Sequence, residues 1–64
     1  MLLADDLDKL LQVLPKFISA ALEKHPRRNQ LIEVVLDIGR RPEARFFDGT
    51  EYLSYRTIVW QDLD

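Results

Sequence analysis

The spacing of apolar residues changes once along this 64-residue chain, and that change restricts the folds open to it. Up to Pro26 the apolar residues follow helical intervals, in the sets Leu7, Leu10, Leu11, Leu14 and Phe17, Ile18, Ala21, Leu22. From Leu31 onward the period is two, with Ile32, Val34, Leu36 and Ile38 on one face. A helical period followed by a strand period predicts an α+β fold.

Prolines divide the helical part of the chain. Pro15 lacks a backbone N–H, so it ends one helix or begins the next. Asp5 or Asp6 can cap the first helix, and Pro26 follows the second. We therefore predict two short helices within about residues 5–25, with a corner at Leu14–Pro15.

Turn residues divide the second part of the chain into short strands. Gly39 and Asp48-Gly49 interrupt the alternation, which predicts strands at about 31–38, 43–47 and 51–55. Short connections favour antiparallel neighbours. We expect one small domain over residues 1–64, with two N-terminal helices packed on a three-stranded antiparallel meander. Residues 60–64 look like the start of a truncated helix.

The charges also predict how the strands pair. A three-residue loop in the first hairpin places Asp37 opposite Arg45. A register shifted by two would place Asp37 opposite Glu43, where like charges repel, so we predict the first arrangement. In the second hairpin we prefer a four-residue loop, which pairs Phe46 with Leu53, to a two-residue Asp-Gly turn.

The composition offers little for catalysis or for cofactor binding. The chain has no cysteine, one histidine and two glycines, and no Gly-Lys-Ser/Thr sequence occurs. A Cys-ligated metal site and a phosphate-binding loop are therefore excluded for this segment. His25, next to Pro26, is expected to be a cation at a helix C-terminus. We predict no enzyme activity, catalytic residue, metal site or cofactor.

The charge balance is that of an ordinary soluble domain. The formal net charge is −2 and 31% of residues are charged, which gives no general attraction to nucleic acid. No apolar run approaches the ~20 residues of a membrane span, so no membrane partner is expected. The N-terminus lacks the pattern of a secretory signal. These features, with the absence of cysteine, favour a cytoplasmic location.

The candidate binding residues lie on the predicted hairpins. Arg40 and Arg41 occupy the tip of the first hairpin, while Arg45, Phe47 and Tyr52 are expected on the outer face of the meander. Arginine offers a planar fork that suits a carboxylate or a phosphate. The simpler alternative is that a hairpin tip needs only polar, solvated residues.

One stretch resembles a known family. The run LIEVVLDIGRRPEARF (31–46) and the later EYLS (51–54) are similar to the N-terminal region of a cyanobacterial and plastid P-loop ATPase family related to sporulation stage III protein AA. The preceding DDLDKLLQVLPKFISAALEKHPRRNQ (5–30) resembles the family's leading helices in the same order. In that family an ATPase core follows this region. Here the Walker motifs are absent, and VWQDL (59–63) lacks the threonine cap typical of the family.

The resemblance implies a non-catalytic accessory module that docks on a protein partner, either an ATPase core or a second copy. In related secretion ATPases, N-terminal-domain arginines reach a nucleotide phosphate at a subunit boundary, and this analogy indicates Arg40, Arg41 and Arg45. The alternative is a stand-alone module that binds single-stranded nucleic acid through these arginines, with Phe47 and Tyr52 stacking on bases. The alternative predicts salt-sensitive binding.

Overall fold

The computed structural model describes residues 2–63, which form an α+β arrangement of two helices and a four-stranded antiparallel sheet. The elements are β1 (Leu2–Leu3), α1 (Leu7–Val13), α2 (Lys16–Glu23), β2 (Leu31–Val35), β3 (Glu43–Phe46) and β4 (Gly49–Tyr52). Short 3-10 helices cover Arg28–Gln30 and Trp60–Leu63. The two predicted helices are present, and Leu14 and Pro15 separate them.

The sheet has one strand more than the three-stranded meander predicted from the sequence. The strand order is β1-β2-β3-β4, and β1 pairs through Leu2 with Val34 and through Leu3 with Glu33. The backbone N–H of Ala4 extends this pairing by donating to the Ile32 carbonyl over 2.9 Å. Two residues are too few to show a period of two, so alternation alone could not reveal this strand.

The strands begin and end at other residues than predicted, and both registers were predicted wrongly. Arg45 lies opposite Glu33, and not Asp37, because β2 ends at Val35 and residues 36–42 form the connection to β3. A bulge between Leu31 and Glu33 then places Leu31 opposite Phe46. A two-residue turn joins β3 to β4 and places Phe46 opposite Gly49, and not Leu53. Gly49 has φ +144°, a conformation that side chains disfavour, so the glycine permits this tight turn.

The hydrophobic core lies between the helices and one face of the sheet. Because side chains alternate along a strand, those of Val34, Ala44 and Phe46 lie on this face of the sheet. Those of Glu33 and Arg45 lie on the opposite face. The bulge lets Leu31 reach the core as well. Within residues 2–63, the buried hydrophobic residues that form this core cluster are Leu10, Leu14, Ile18, Leu22, Leu31, Val34, Ala44, Phe46 and Ile58.

The two helices are tied together at their corner by a serine. Within α1, the carbonyl of Leu11 would accept a hydrogen bond from residue 15, but Pro15 has no N–H to donate. The buried hydroxyl of Ser19, on α2, donates to this carbonyl over 2.6 Å. The serine therefore satisfies the acceptor that the proline leaves unpaired.

Replacing Ser19 by alanine is expected to lower the free energy of unfolding by about 1 kcal/mol, because the Leu11 carbonyl then lacks its donor. Urea denaturation followed by circular dichroism would measure the loss. An unchanged midpoint would contradict the proposed role of this hydrogen bond.

A loop of residues 36–42, called here the corner loop, is held by the C-terminal segment. Ile38 forms a parallel bridge with Ile58. The Gly39 N–H donates to the Ile58 carbonyl over 2.7 Å, and the Ile58 N–H donates to the Arg40 carbonyl over 2.8 Å. Gly39 has φ +82°, which a glycine adopts without strain. The corner loop thus has a fixed backbone although it lies outside the sheet.

The chain's last described residues form one 3-10 turn, Trp60–Leu63, where the sequence predicted the start of a helix over 60–64. Asp64 lies outside the described residues. Over residues 2–63, every helix is too short to cross a membrane.

Candidate partner-binding site

The guanidinium of Arg41 lies against two tyrosine rings. Its central carbon is 4.0 Å from the ring centroid of Tyr52 and 4.6 Å from that of Tyr55. The Arg41 Nε donates to the carbonyl of Ser54 over 3.0 Å. Arginine over an aromatic face is a favourable cation–π geometry. We refer to Arg41, Tyr52 and Tyr55 as the arginine–tyrosine cluster.

The sheet and the corner loop together position the cluster. Tyr52 is the last residue of β4. Pro42, just after Arg41, is buried, and its carbonyl accepts from the Leu53 N–H over 2.8 Å. The turn that carries Tyr55 is closed by the Arg56 N–H, which donates to the Ser54 hydroxyl over 2.9 Å. Backbone bonds on both sides therefore fix where the rings and the guanidinium meet.

The cluster faces solvent. Tyr55 is 90% exposed and Tyr52 is 52% exposed, while Arg41 is partly buried. Within residues 2–63, the carboxylates form no ion pair with Arg41. Its neighbour Arg40 is exposed and lies 3.9 Å from a carboxylate oxygen of Asp37. The cluster thus presents a cation and two large rings on one surface.

The other predicted site residues lie elsewhere. Arg45 is on the outer face of the sheet, where its guanidinium is 3.3 Å from the largely buried carboxylate of Glu33. Phe47 is 81% exposed in the β3–β4 turn, at the opposite end of that hairpin from Tyr52. The structure therefore brings Arg41 into contact with Tyr52. Arg45 shares the outer sheet face with Tyr52 but pairs with Glu33, and Phe47 lies at the far end of the hairpin.

Sequence reasoning missed Tyr55, which completes the cluster. The alternation predicts a strand that runs to Tyr55, but the strand ends at Tyr52 and the chain then turns. The spacing of the two tyrosines in Tyr-Leu-Ser-Tyr is compatible with this cluster, because a turn after the first tyrosine can place the second ring on the same surface as the first.

A second polar cluster joins the end of α2 to the β3–β4 hairpin. His25 stacks on Phe46 with ring centroids 4.5 Å apart, and its Nε2 is 2.7 Å from a carboxylate oxygen of Glu51. Its Nδ1 accepts the backbone N–H of Arg27 over 3.0 Å, so in the neutral ring Nε2 carries the proton. The Arg27 guanidinium donates to Asp48 and to Glu51. His25 therefore crosslinks two elements, a role beyond the helix-end cation predicted from the sequence.

This second cluster predicts a pH dependence of stability. The hydrogen bond with His25, helped by the charge of Arg27, holds the pKa of Glu51 below its ordinary value of 4.5. A lowered folded-state pKa means that the stabilisation is complete above pH 4.5 and is lost as the pH falls through the folded-state pKa. Glu51→Gln should flatten the fall in unfolding free energy below pH 4.5. The control Glu23→Gln, on the exposed side of α2, should not.

The C-terminal 3-10 turn, Trp60–Leu63, is held against α2 by polar and cation–π contacts. Asp62 accepts the backbone N–H of Val59 over 2.8 Å and pairs with Arg56 over 2.6 Å. These two contacts, the backbone bond first, lower the pKa of Asp62. The Arg56 guanidinium in turn lies 3.9 Å from the ring centroid of Phe17. Residues 56–62 are thereby held close to the helix corner.

Metal-ligating groups are scattered in the described part of the chain, which holds no set of three or more His, Asp or Glu side chains placed for one ion.

The chain is similar to plastid proteins. It is 62% identical over 64 residues to the uncharacterized protein ycf45 of Porphyra purpurea and 44% identical over 63 residues to that of Cyanidium caldarium. It is 42% identical over 59 residues to the protein SEEDLING PLASTID DEVELOPMENT 1 of Arabidopsis thaliana. These matches take in 100%, 98% and 92% of the chain. No family model and no solved structure matches it.

The same matches take in only 11%, 19% and 9% of the three relatives, so the chain spans a fifth or less of the length of each. The relatives are plastid proteins, which agrees with the plastid part of the resemblance found in the sequence. The link to a P-loop ATPase and the cytoplasmic location stay predictions.

Proposed function

We propose that the chain is a non-catalytic docking module that binds a partner domain or subunit, as the N-terminal region of a ring-forming P-loop ATPase would. The observation that carries this proposal is the exposed arginine–tyrosine cluster. Tyrosine and arginine are enriched in protein interfaces and in their energetic hot spots. A cluster already ordered by the fold loses little side-chain freedom when a partner covers it.

The greater length of the relatives supports a docking partner that belongs to the same, longer protein. The matching segment makes up only 11% of the Porphyra relative, so in that protein it is joined to a much longer polypeptide. The remainder of such a protein, or a second copy of the module, is the nearest surface available to the cluster.

The charge arrangement favours a protein partner over single-stranded nucleic acid. Four guanidinium groups already lie beside carboxylates: Arg27 with Asp48 and Glu51, Arg40 with Asp37, Arg45 with Glu33, and Arg56 with Asp62. Binding to a phosphate backbone depends on several cations that contact phosphates together. A net charge of −2 works against such binding as well.

The proposal is tested by titrating the chain with the remainder of the Porphyra relative, from which the matching segment has been deleted, in a calorimeter. We expect saturable binding. Analytical ultracentrifugation of the chain alone tests the second-copy form of the proposal. A chain that stays monomeric and does not bind the remainder would overturn the docking function, and salt-sensitive binding to an oligonucleotide would favour the alternative.

Two exposed aromatic residues provide a matched pair of variants for this titration. Tyr55 is 90% exposed and Phe47 is 81% exposed, at separate places on the surface. We expect Tyr55→Ala to weaken partner binding at least tenfold, whereas Phe47→Ala leaves it unchanged. Equal losses in the two variants would mean that the interface is not centred on the arginine–tyrosine cluster.

A further inference from the structure

We infer that Arg41 is the binding site for a carboxylate side chain of the docking partner, an inference that rests on the proposed docking function. The site is the edge of the guanidinium between Tyr52 and Tyr55. The inference concerns the chemistry that the partner must supply, which the docking function alone leaves open.

The first observation is that Arg41 has unused donors. A guanidinium carries five N–H bonds, and the structure uses the one on Nε, which donates to the Ser54 carbonyl. The ion pairs within residues 2–63 leave Arg41 without a carboxylate. The terminal nitrogens can therefore form the paired hydrogen bonds that arginine makes with a carboxylate.

The second observation is that the guanidinium is held in place. The two rings, 4.0 and 4.6 Å away, pack against it, and the bond to Ser54 fixes its rotation. Much of the entropy that a free arginine side chain loses on binding has thus been lost during folding.

The third observation concerns the acids around the site. Glu43 lies opposite Tyr52 in the β3–β4 pairing, and Asp37 lies beside Arg40. A nucleic-acid strand, with a negative charge at every phosphate, would bring several charges close to these acids. A single carboxylate needs only the guanidinium edge, so these neighbours favour an aspartate or glutamate of a protein.

The inference is tested first with small probes, independently of any partner. The Arg41 Nε–H resonance is followed by NMR while N-acetyl-glutamate amide is added, with N-acetyl-glutamine amide as the uncharged isostere and inorganic phosphate as the phosphate probe. We expect the glutamate probe to shift the resonances of Arg41, Tyr52 and Tyr55, the glutamine probe to leave them unchanged, and phosphate to bind more weakly. Tighter binding of phosphate, or no shift with glutamate, would overturn the inference.

The second arm uses the calorimetric titration with the remainder of the Porphyra relative. Arg41→Lys keeps the charge but loses the planar fork, and we expect it to weaken binding at least tenfold. The matched control Arg40→Lys should change binding less than twofold, because Arg40 lies outside the cluster.

The outcomes of this arm separate the two claims. Partner binding that survives Arg41→Lys unchanged overturns the carboxylate inference and leaves the docking function intact. A wild-type chain that neither binds the remainder nor self-associates overturns the docking function, and with it the assignment of the carboxylate to a partner. Should Arg41→Lys disturb the fold, seen as a shift of the buried Ile58 methyl resonances, the glutamate titration of the wild-type chain decides instead, and unshifted Arg41 resonances overturn the inference.

Discussion

Replacing Phe46 by alanine is expected to leave most of the chain unfolded at 25 °C. The ring is 2% exposed in the core, with His25 stacked on it and the Arg27 guanidinium 4.7 Å from its centroid. Removal of a buried phenylalanine side chain costs about 3–5 kcal/mol. A core in a chain of this size supplies only about 3–5 kcal/mol in total. Far-ultraviolet circular dichroism and urea denaturation would measure the loss.

The neighbouring residue provides the control. Phe47 has the same side chain one position later, but it is 81% exposed in the β3–β4 turn. Phe47→Ala should change the free energy of unfolding by less than about 0.5 kcal/mol. Because a one-residue slip would exchange the two faces of the strand, equal destabilisation by the two variants would mean that the register of β3 is wrong.

Ile58→Ala is expected to have the second-largest effect, lowering the free energy of unfolding by about 2–5 kcal/mol. Ile58 is fully buried, although it lies beyond the last strand. Its backbone bonds hold the corner loop through Gly39 and Arg40, so the loop should loosen when the side chain no longer anchors this segment. Urea denaturation would measure the global loss, and hydrogen exchange at the Gly39 amide the local one.

The adjacent valine serves as the matched control here. Val59 is 41% exposed, and Val59→Ala should leave both the unfolding midpoint and the exchange of the Gly39 amide nearly unchanged. If Ile58→Ala were as mild as Val59→Ala, the C-terminal segment would not belong to the core, and the account of how the corner loop is held would fail.

The sequence was sufficient to predict the helices because their signals are local. The leucine spacing up to Leu14 gives the buried stripe of α1, and Pro15 marks the corner. The sequence also predicted that Asp5 or Asp6 caps α1, and Asp6 accepts the Lys9 N–H over 3.2 Å. Each of these features depends on residues three or four positions apart, where spacing rules are strongest.

The sheet was predicted less well because its pairing depends on distant residues. The alternation from Ile32 to Ile38 suggested one long strand, yet the chain leaves the sheet after Val35. Ile38 lies beyond the sheet and is 41% exposed, and its backbone bridges to Ile58, twenty residues later. Local charge arguments supported the Asp37–Arg45 register, but they could not include the long connection over residues 36–42, which aligns Glu33 with Arg45 instead.

The candidate site was predicted in part for the same reason. Arg41 and Tyr52 were both chosen from the sequence, and they do meet. Phe47 was chosen as an outer-face aromatic residue, but the tight turn carries it to the far end of the hairpin. Tyr55 was missed because a turn, which the spacing did not specify, brings it back over Arg41.

The fold holds the Arg41 guanidinium between two tyrosine rings before any partner arrives. The most direct measurement is solution NMR of the isolated chain, which detects nuclear Overhauser effects between the Arg41 side chain and the rings of Tyr52 and Tyr55. We predict contacts to both rings, together with Arg41 side-chain protons shifted upfield by the ring currents. Averaged Arg41 resonances at their free-peptide positions, without contacts to either ring, would contradict the account.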